Sequence, residues 1–184
     1  MPTVMYCIPD TTFIRLGEAE VLVSFYSKNS KAYSPLLAAK LKDILKNQKA
    51  YPGGKLPVSK YAFLIYHENF PGLGLIGDGL EHSQSTLCLY ASRSLEKLPK
   101  ALEVVASHEF FHILTPLNIH SKEIQHFDFL NPEFSKHLWL YKGMTGYTTI
   151  HMPVKQGMIS LAEFCKVEKC NDSLEGFKVN TFTN

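Results

Sequence analysis

The run EKLPKALEVVASHEFFHILTP, residues 96–116, constrains this chain more than any other stretch. It is long enough for a helix and apolar almost all round, which marks a helix buried in the middle of a domain. Yet it carries His108, Glu109 and His112. Four residues apart on a helix, the two imidazoles project from one face and can grip one metal ion. Glu109, next to the first of them, can reach water held at such an ion and act as general base. Burying three polar side chains on so apolar a helix without a task is costly. The pattern therefore points to a metal site.

Bulk properties narrow the field. With 184 residues the chain can build one domain with a real core, or one domain and a fragment of another. Its net charge of +2 indicates no particular partner. The lysines are scattered along helix faces, Lys40, Lys42, Lys46 and Lys49 on one and Lys97 and Lys100 on another. They are not interleaved with aromatics, so no nucleic-acid partner is expected. Cys7, Cys88, Cys165 and Cys170 show no CxxC spacing and read as ordinary thiols. No run is apolar for the roughly eighteen residues a membrane span needs. MPTVMYCIPD has neither the basic start nor the apolar run of a secretory signal. The compartment stays open between bacterial cytoplasm and periplasm, as does the oligomeric state.

Local patterning implies an α+β order. TFIRLG and AEVLVSFYS read as strands, the second buried. SPLLAAKLKDILKNQKA reads as an amphipathic helix with Leu37, Leu41, Ile44 and Leu45 on one face, Ser34 as N-cap and Pro35 in the first turn. YPGGKLP stops it. KYAFLIYH reads as a central strand, ENFPGLGLIGDG as a glycine-rich loop, and LEHSQSTLCLYA as an exposed or edge strand. Beyond the apolar helix, residues 117–137 read as an irregular connection, followed by helical stretches in LWLYKGMTGYTTIHM and SLAEFCKVEKC.

Three ordered motifs, GLEHSQST, SHEFFHILTPLNIHSKEIQHFDF and HLWLYKGMTGY, resemble the glycyl aminopeptidase family of gluzincin metallopeptidases. PDTTFIRLGEAEVLVSFYS and GGKLPVSKYAFLIYH resemble upstream segments of bacterial members, and the likeness thins after about Gly157. The resemblance implies that His108 and His112 are zinc ligands and that Glu109 is the catalytic base acting through metal-bound water. It implies that Glu81 binds the free α-amino group of a peptide substrate, and that His82 and Ser83 help shape the same loop. A carboxylate beside an edge strand suits that task, since it pairs with an ammonium while the strand aligns the peptide backbone.

The same comparison exposes a departure. The family's third zinc ligand is a glutamate in the later helix, and that position holds Lys142. A second glutamate, which many bacterial members carry one helical turn on, is replaced by Gly146. Two unit charges about 4 Å apart interact by about 4 kcal/mol at an effective dielectric of about 20. Exchanging an attractive charge for a repulsive one should lower zinc affinity by orders of magnitude, since each 1.4 kcal/mol is roughly tenfold. His120, Glu123, His126 and Asp128 have suitable chemistry for a substitute ligand, Glu123 foremost.

These readings converge on an α+β, thermolysin-like (gluzincin) catalytic core: a mixed sheet with an edge strand packed on the buried HExxH helix, followed by the first helices of a helical half. Residues 1–184 form a single partial catalytic domain, with residues 1–117 the sheet-bearing half and 118–184 the start of the helical half. The amino-terminal β domain, longer helical half and PDZ-like domain usual in the family do not fit within this length. The expected activity is zinc-dependent aminopeptidase cleavage of peptides with a free amino terminus, with metal binding weakened by Lys142. The alternative is a non-catalytic relative, or a fragment, that at most binds a peptide.

Overall fold

A computed structural model describes residues 6–28, 32–50, 53–70, 75–114, 121–125, 128, 130–131, 133 and 135–165. Among them, strands β1 (Asp10–Leu16), β2 (Ala19–Ser27), β3 (Lys60–Asn69), β4 (Ile76–His82) and β5 (Ser85–Ser92) form one sheet in the order β1-β2-β3-β5-β4. The pairs β2–β3 and β3–β5 are parallel, while the two edge strands β1 and β4 run antiparallel to their neighbours. The helices are α1 (Ser34–Ala50), α2 (Leu98–Phe111), the short α3 (Lys122–Gln125) and α4 (Leu138–Lys155). The α+β class is as the residue pattern implies, and the mixed sheet is as the family resemblance implies.

Alternation along the strands explains the core. Val21, Val23 and Phe25 on β2, Phe63 and Ile65 on β3, and Cys88 and Tyr90 on β5 are buried on the sheet face that α1 and α2 cover. Leu37, Leu41 and Leu45 of α1 are fully buried there, and Ile44 faces Phe111 and Met152 in a smaller cluster. Phe110 of α2 wedges against Tyr61 and Phe63, with ring centroids 5.0 and 6.2 Å away. Such aromatic contacts add about 0.5–1.5 kcal/mol each beyond burial. Gln48 of α1 donates from Nε2 to the carbonyl of Ser107, 2.7 Å away, tying α1 to the turn that precedes His108.

Three local expectations are corrected. The second half of the glycine-rich segment is not loop but β4, the sheet edge. LEHSQSTLCLYA is a hairpin whose second arm, β5, lies inside the sheet between β3 and β4. Two glycines at alternate positions hide the strand from a reading based on side-chain preference. The third correction concerns α1. Ser34's hydroxyl meets Thr12 Oγ1 at 2.7 Å, and the Asp10 carboxylate accepts the Ser34 N–H at 2.5 Å. The helix start is thus held from β1.

Ser27 Oγ and Ser92 Oγ contact the two ring nitrogens of buried His67 at 3.1 and 2.9 Å. Ser92 donates to the Ser94 carbonyl, so it accepts from His67 Nε2–H, and Nδ1 accepts from Ser27. This chain stitches β2, β3 and β5 together. Burial holds the His67 pKa below its ordinary value, with Glu68 and a Ser92 hydrogen bond working the other way.

Candidate functional site

The apolar helix is buried on most of its circumference but not all of it. Leu98, Leu102, Ala106 and Phe110 face the core, whereas Val104 is 59% exposed. The flank of Val104, Val105, His108 and Glu109 borders an open cleft of about 310 Å³, whose other walls are Gly77 to Gly79 of β4 and Gly146, Thr149 and Ile150 of α4. A helix flank left open beside a sheet edge is where this fold has room for a ligand.

At the end of α2 the helical period brings His108, Glu109 and His112 together, with one ligand atom from each lying within 4.8 Å of the others. The imidazole centroids are 5.1 Å apart and their planes cross at 78°. Glu109 is 7% exposed, His112 is buried and His108 half-buried. Glu109 Oε2 is buried with no hydrogen-bond partner among the described residues, a costly arrangement unless something polar meets it.

β4 brings acid to the same place. Its alternation puts Gly77, Gly79 and Glu81 on the face toward α2. A Cβ on Gly79 would stand 2.7 Å from Glu109 Cγ and 2.8 Å from Val105 Cγ1, and one on Gly77 would overlap the ring of Tyr90. Both glycines are there because α2 and Tyr90 take the space a side chain would need. Burial, then the charge of Glu81, push the Glu109 pKa up to about 7, with Asp78 and a hydrogen bond to Glu81 adding and Lys142 opposing. Burial, then the charges of His112 and Lys142, hold His108 below its ordinary value, and Glu81 opposes them.

Lys142 is exposed near the start of α4, yet its charge reaches both His108 and Glu109. Gly146, one turn on, lines the cleft, and a Cβ there would meet nothing within 4 Å. The face of α4 turned toward the histidine pair thus presents an ammonium and an empty position. Glu123 is exposed on α3, its pKa lowered first by a hydrogen bond from Ser121. It is not among the side chains gathered around His108 and His112. Asp128 is exposed and accepts from Leu130 N and Asn131 Nδ2. His120 and His126 lie outside the described residues. His82 ends β4 partly buried, and Ser83 is exposed in the hairpin turn.

The fit of this donor set to zinc is partial. Two imidazoles within reach of one ion suit it. A catalytic zinc takes three protein ligands, and among the described residues only Glu109 joins the pair. Reading the residues one at a time missed Gly79, Asp78 and the apolar walls Val104, Val105 and Ile150. The alternation G-D-G-L-E was the signal that could have found the first two. No helix among the described residues is long and apolar enough to cross a membrane. Cys7, Cys88 and Cys165 are free thiols, and Cys170 lies outside the described residues.

Comparison with known proteins bears on family and fold. Residues 101–180 match the family model described as M61 glycyl aminopeptidase. The fold is similar to the crystal structure of an aminopeptidase N family protein from Idiomarina loihiensis, at 21% identity and a TM-score of 0.65 over 85% of this chain. The match covers 27% of that protein, so this chain spans about a quarter of its length. No curated protein matches. Over the stretch that holds the histidine pair and α4, the chain is similar to the glycyl aminopeptidase family.

Proposed function

We propose that the chain is the sheet-bearing part of an aminopeptidase catalytic domain, with a thermolysin-like core, that takes peptides by their free amino terminus and holds zinc weakly. The observation that carries this reading is the convergence of three potential ligand atoms within 4.8 Å, with His108 and Glu109 lining the cleft beside the sheet edge. His108 and His112 are the residues that would hold the ion, which when bound supplies Lewis-acid polarisation of a peptide carbonyl. Glu81 pairs with the substrate α-ammonium. The free edge of β4 receives the peptide backbone as an added strand. Glu109, whose buried oxygen lacks a partner among the described residues, accepts a proton from the attacking water and can pass it to the leaving amine.

Zinc content after supplementation, measured with turnover of glycyl and alanyl amides, tests the reading. Substoichiometric zinc at micromolar supply and slow turnover that rises with added zinc are expected. Absence of both at saturating zinc would sink it. One observation favours a second reading, a non-catalytic relative that binds peptide only: the Lys142 charge bears on both His108 and Glu109. Peptide binding without turnover at saturating zinc is its signature.

A further inference from the structure

The cleft does not end at His108 and Glu109. A second cavity of about 510 Å³ lies between α1, α2 and the end of α4, floored by Ile44, Met152, Pro153, Met158 and Ile159. Val104, Thr149 and Ile150 belong to the walls of both cavities. The two therefore adjoin along these three residues and are taken together as one groove. It has a polar head at His108 and Glu109, and an apolar body rimmed by Lys40, Asp43 and the Lys100–Glu103 ion pair. An apolar floor inside a charged rim is the form of an interaction groove.

Its direction follows from the site. Glu81, Gly79 and Gly77 succeed one another along the α2-facing side of β4, with Glu109 against Gly79. On α2, Val104 lies one turn before His108. A chain that starts at Glu81 and passes Glu109 is thus led toward Val104 and on to Met158. Val104, so exposed on an otherwise buried helix, sits where the two cavities join. We propose that this groove binds the apolar side chains of a peptide whose amino terminus lies at Glu81, several residues beyond the bond that the site addresses. This rests on the peptide-binding reading above, and makes the site select for peptides with an apolar segment downstream.

Calorimetric titration of the 184-residue chain with three peptide amides tests it. The first is Gly-Ala-Ala amide. The others are octapeptides with the same start, one continuing in leucine and isoleucine, the other with serine in their place. The apolar octapeptide should bind at least tenfold more tightly than the serine one. Met158→Lys, at a 46% exposed residue, should bring the two level while the tripeptide affinity and the unfolding temperature stay put. Equal binding of the two octapeptides, or a preference that survives Met158→Lys, would overturn the groove alone. If none of the three binds, the peptide reading falls and the groove with it. A dimer that Met158→Lys dissociates, with no change in peptide preference, would assign the groove to a second copy of the chain and refute the proposal.

Discussion

Gly79 and Glu109 occupy the same space by agreement: a Cβ on the first would stand 2.7 Å from Cγ of the second. The carboxylate at the centre of the site reaches the sheet edge only because β4 offers no side chain there. Gly79→Ala should therefore push α2 from β4 and destabilise the chain by about 1–3 kcal/mol, the usual cost of overpacking. Gly143→Ala is the control. It stands inside α4 with nothing within 4 Å of its Cβ, and should stabilise by about 0.5–1 kcal/mol through helix propensity. Urea midpoints of the two variants should move in opposite directions; a neutral Gly79→Ala would show that the contact yields freely.

Charge reversal on α4 should restore metal affinity. With Lys142→Glu and Gly146→Glu together, the helix facing the histidine pair gains two carboxylates, and Gly146 has open space for one. Zinc affinity, read by competition with a chelating dye, should rise at least a hundredfold over the unaltered chain, equivalent to about 2.7 kcal/mol. Unchanged affinity would mean that Lys142 is not what weakens the site.

Removing the aromatic wedge should be expensive. Phe110 is 1% exposed and packs on Tyr61 and Phe63. Phe110→Ala should cost about 3–5 kcal/mol, measured as a shift in the guanidinium midpoint. A loss below about 1 kcal/mol would show that the neighbouring rings collapse into the cavity.

The His67 bridge predicts a pH dependence with a definite sign. Its pKa is lower in the folded chain than the ordinary value of about 6.5 expected when unfolded. Protons therefore bind the unfolded state preferentially. The contribution is complete above about pH 6.5 and declines as pH falls from there toward the folded-state pKa. Because Glu109 is shifted upward and contributes with the opposite sign, the difference between variants is the quantity to read. Urea midpoints of the unaltered chain and of His67→Gln, taken between pH 7.5 and 5, should converge as pH falls. A constant gap would remove the His67 proton from the account.

Features that a few neighbouring residues can encode are legible along the chain. The apolar face of α1, the alternation of β2 and β3, and the four-residue spacing of His108 and His112 are local periodicities, and the structure reproduces each. The family motifs around HEFFH and Lys142 belong here as well, since a motif is read along the chain. Tertiary structure alone decided the rest. β4 looks like a loop because glycine carries no side-chain pattern, and it is a strand because β5 pairs with it and Glu109 needs the gap. The start of α1 is held by Asp10, 24 residues earlier in the chain. Val104 is as apolar as its neighbours on α2, and only the placement of β4 and α4 leaves its flank open. Pairing and packing join residues far apart in the chain, so the cleft and its continuing groove exist only once the sheet and helices have assembled around α2.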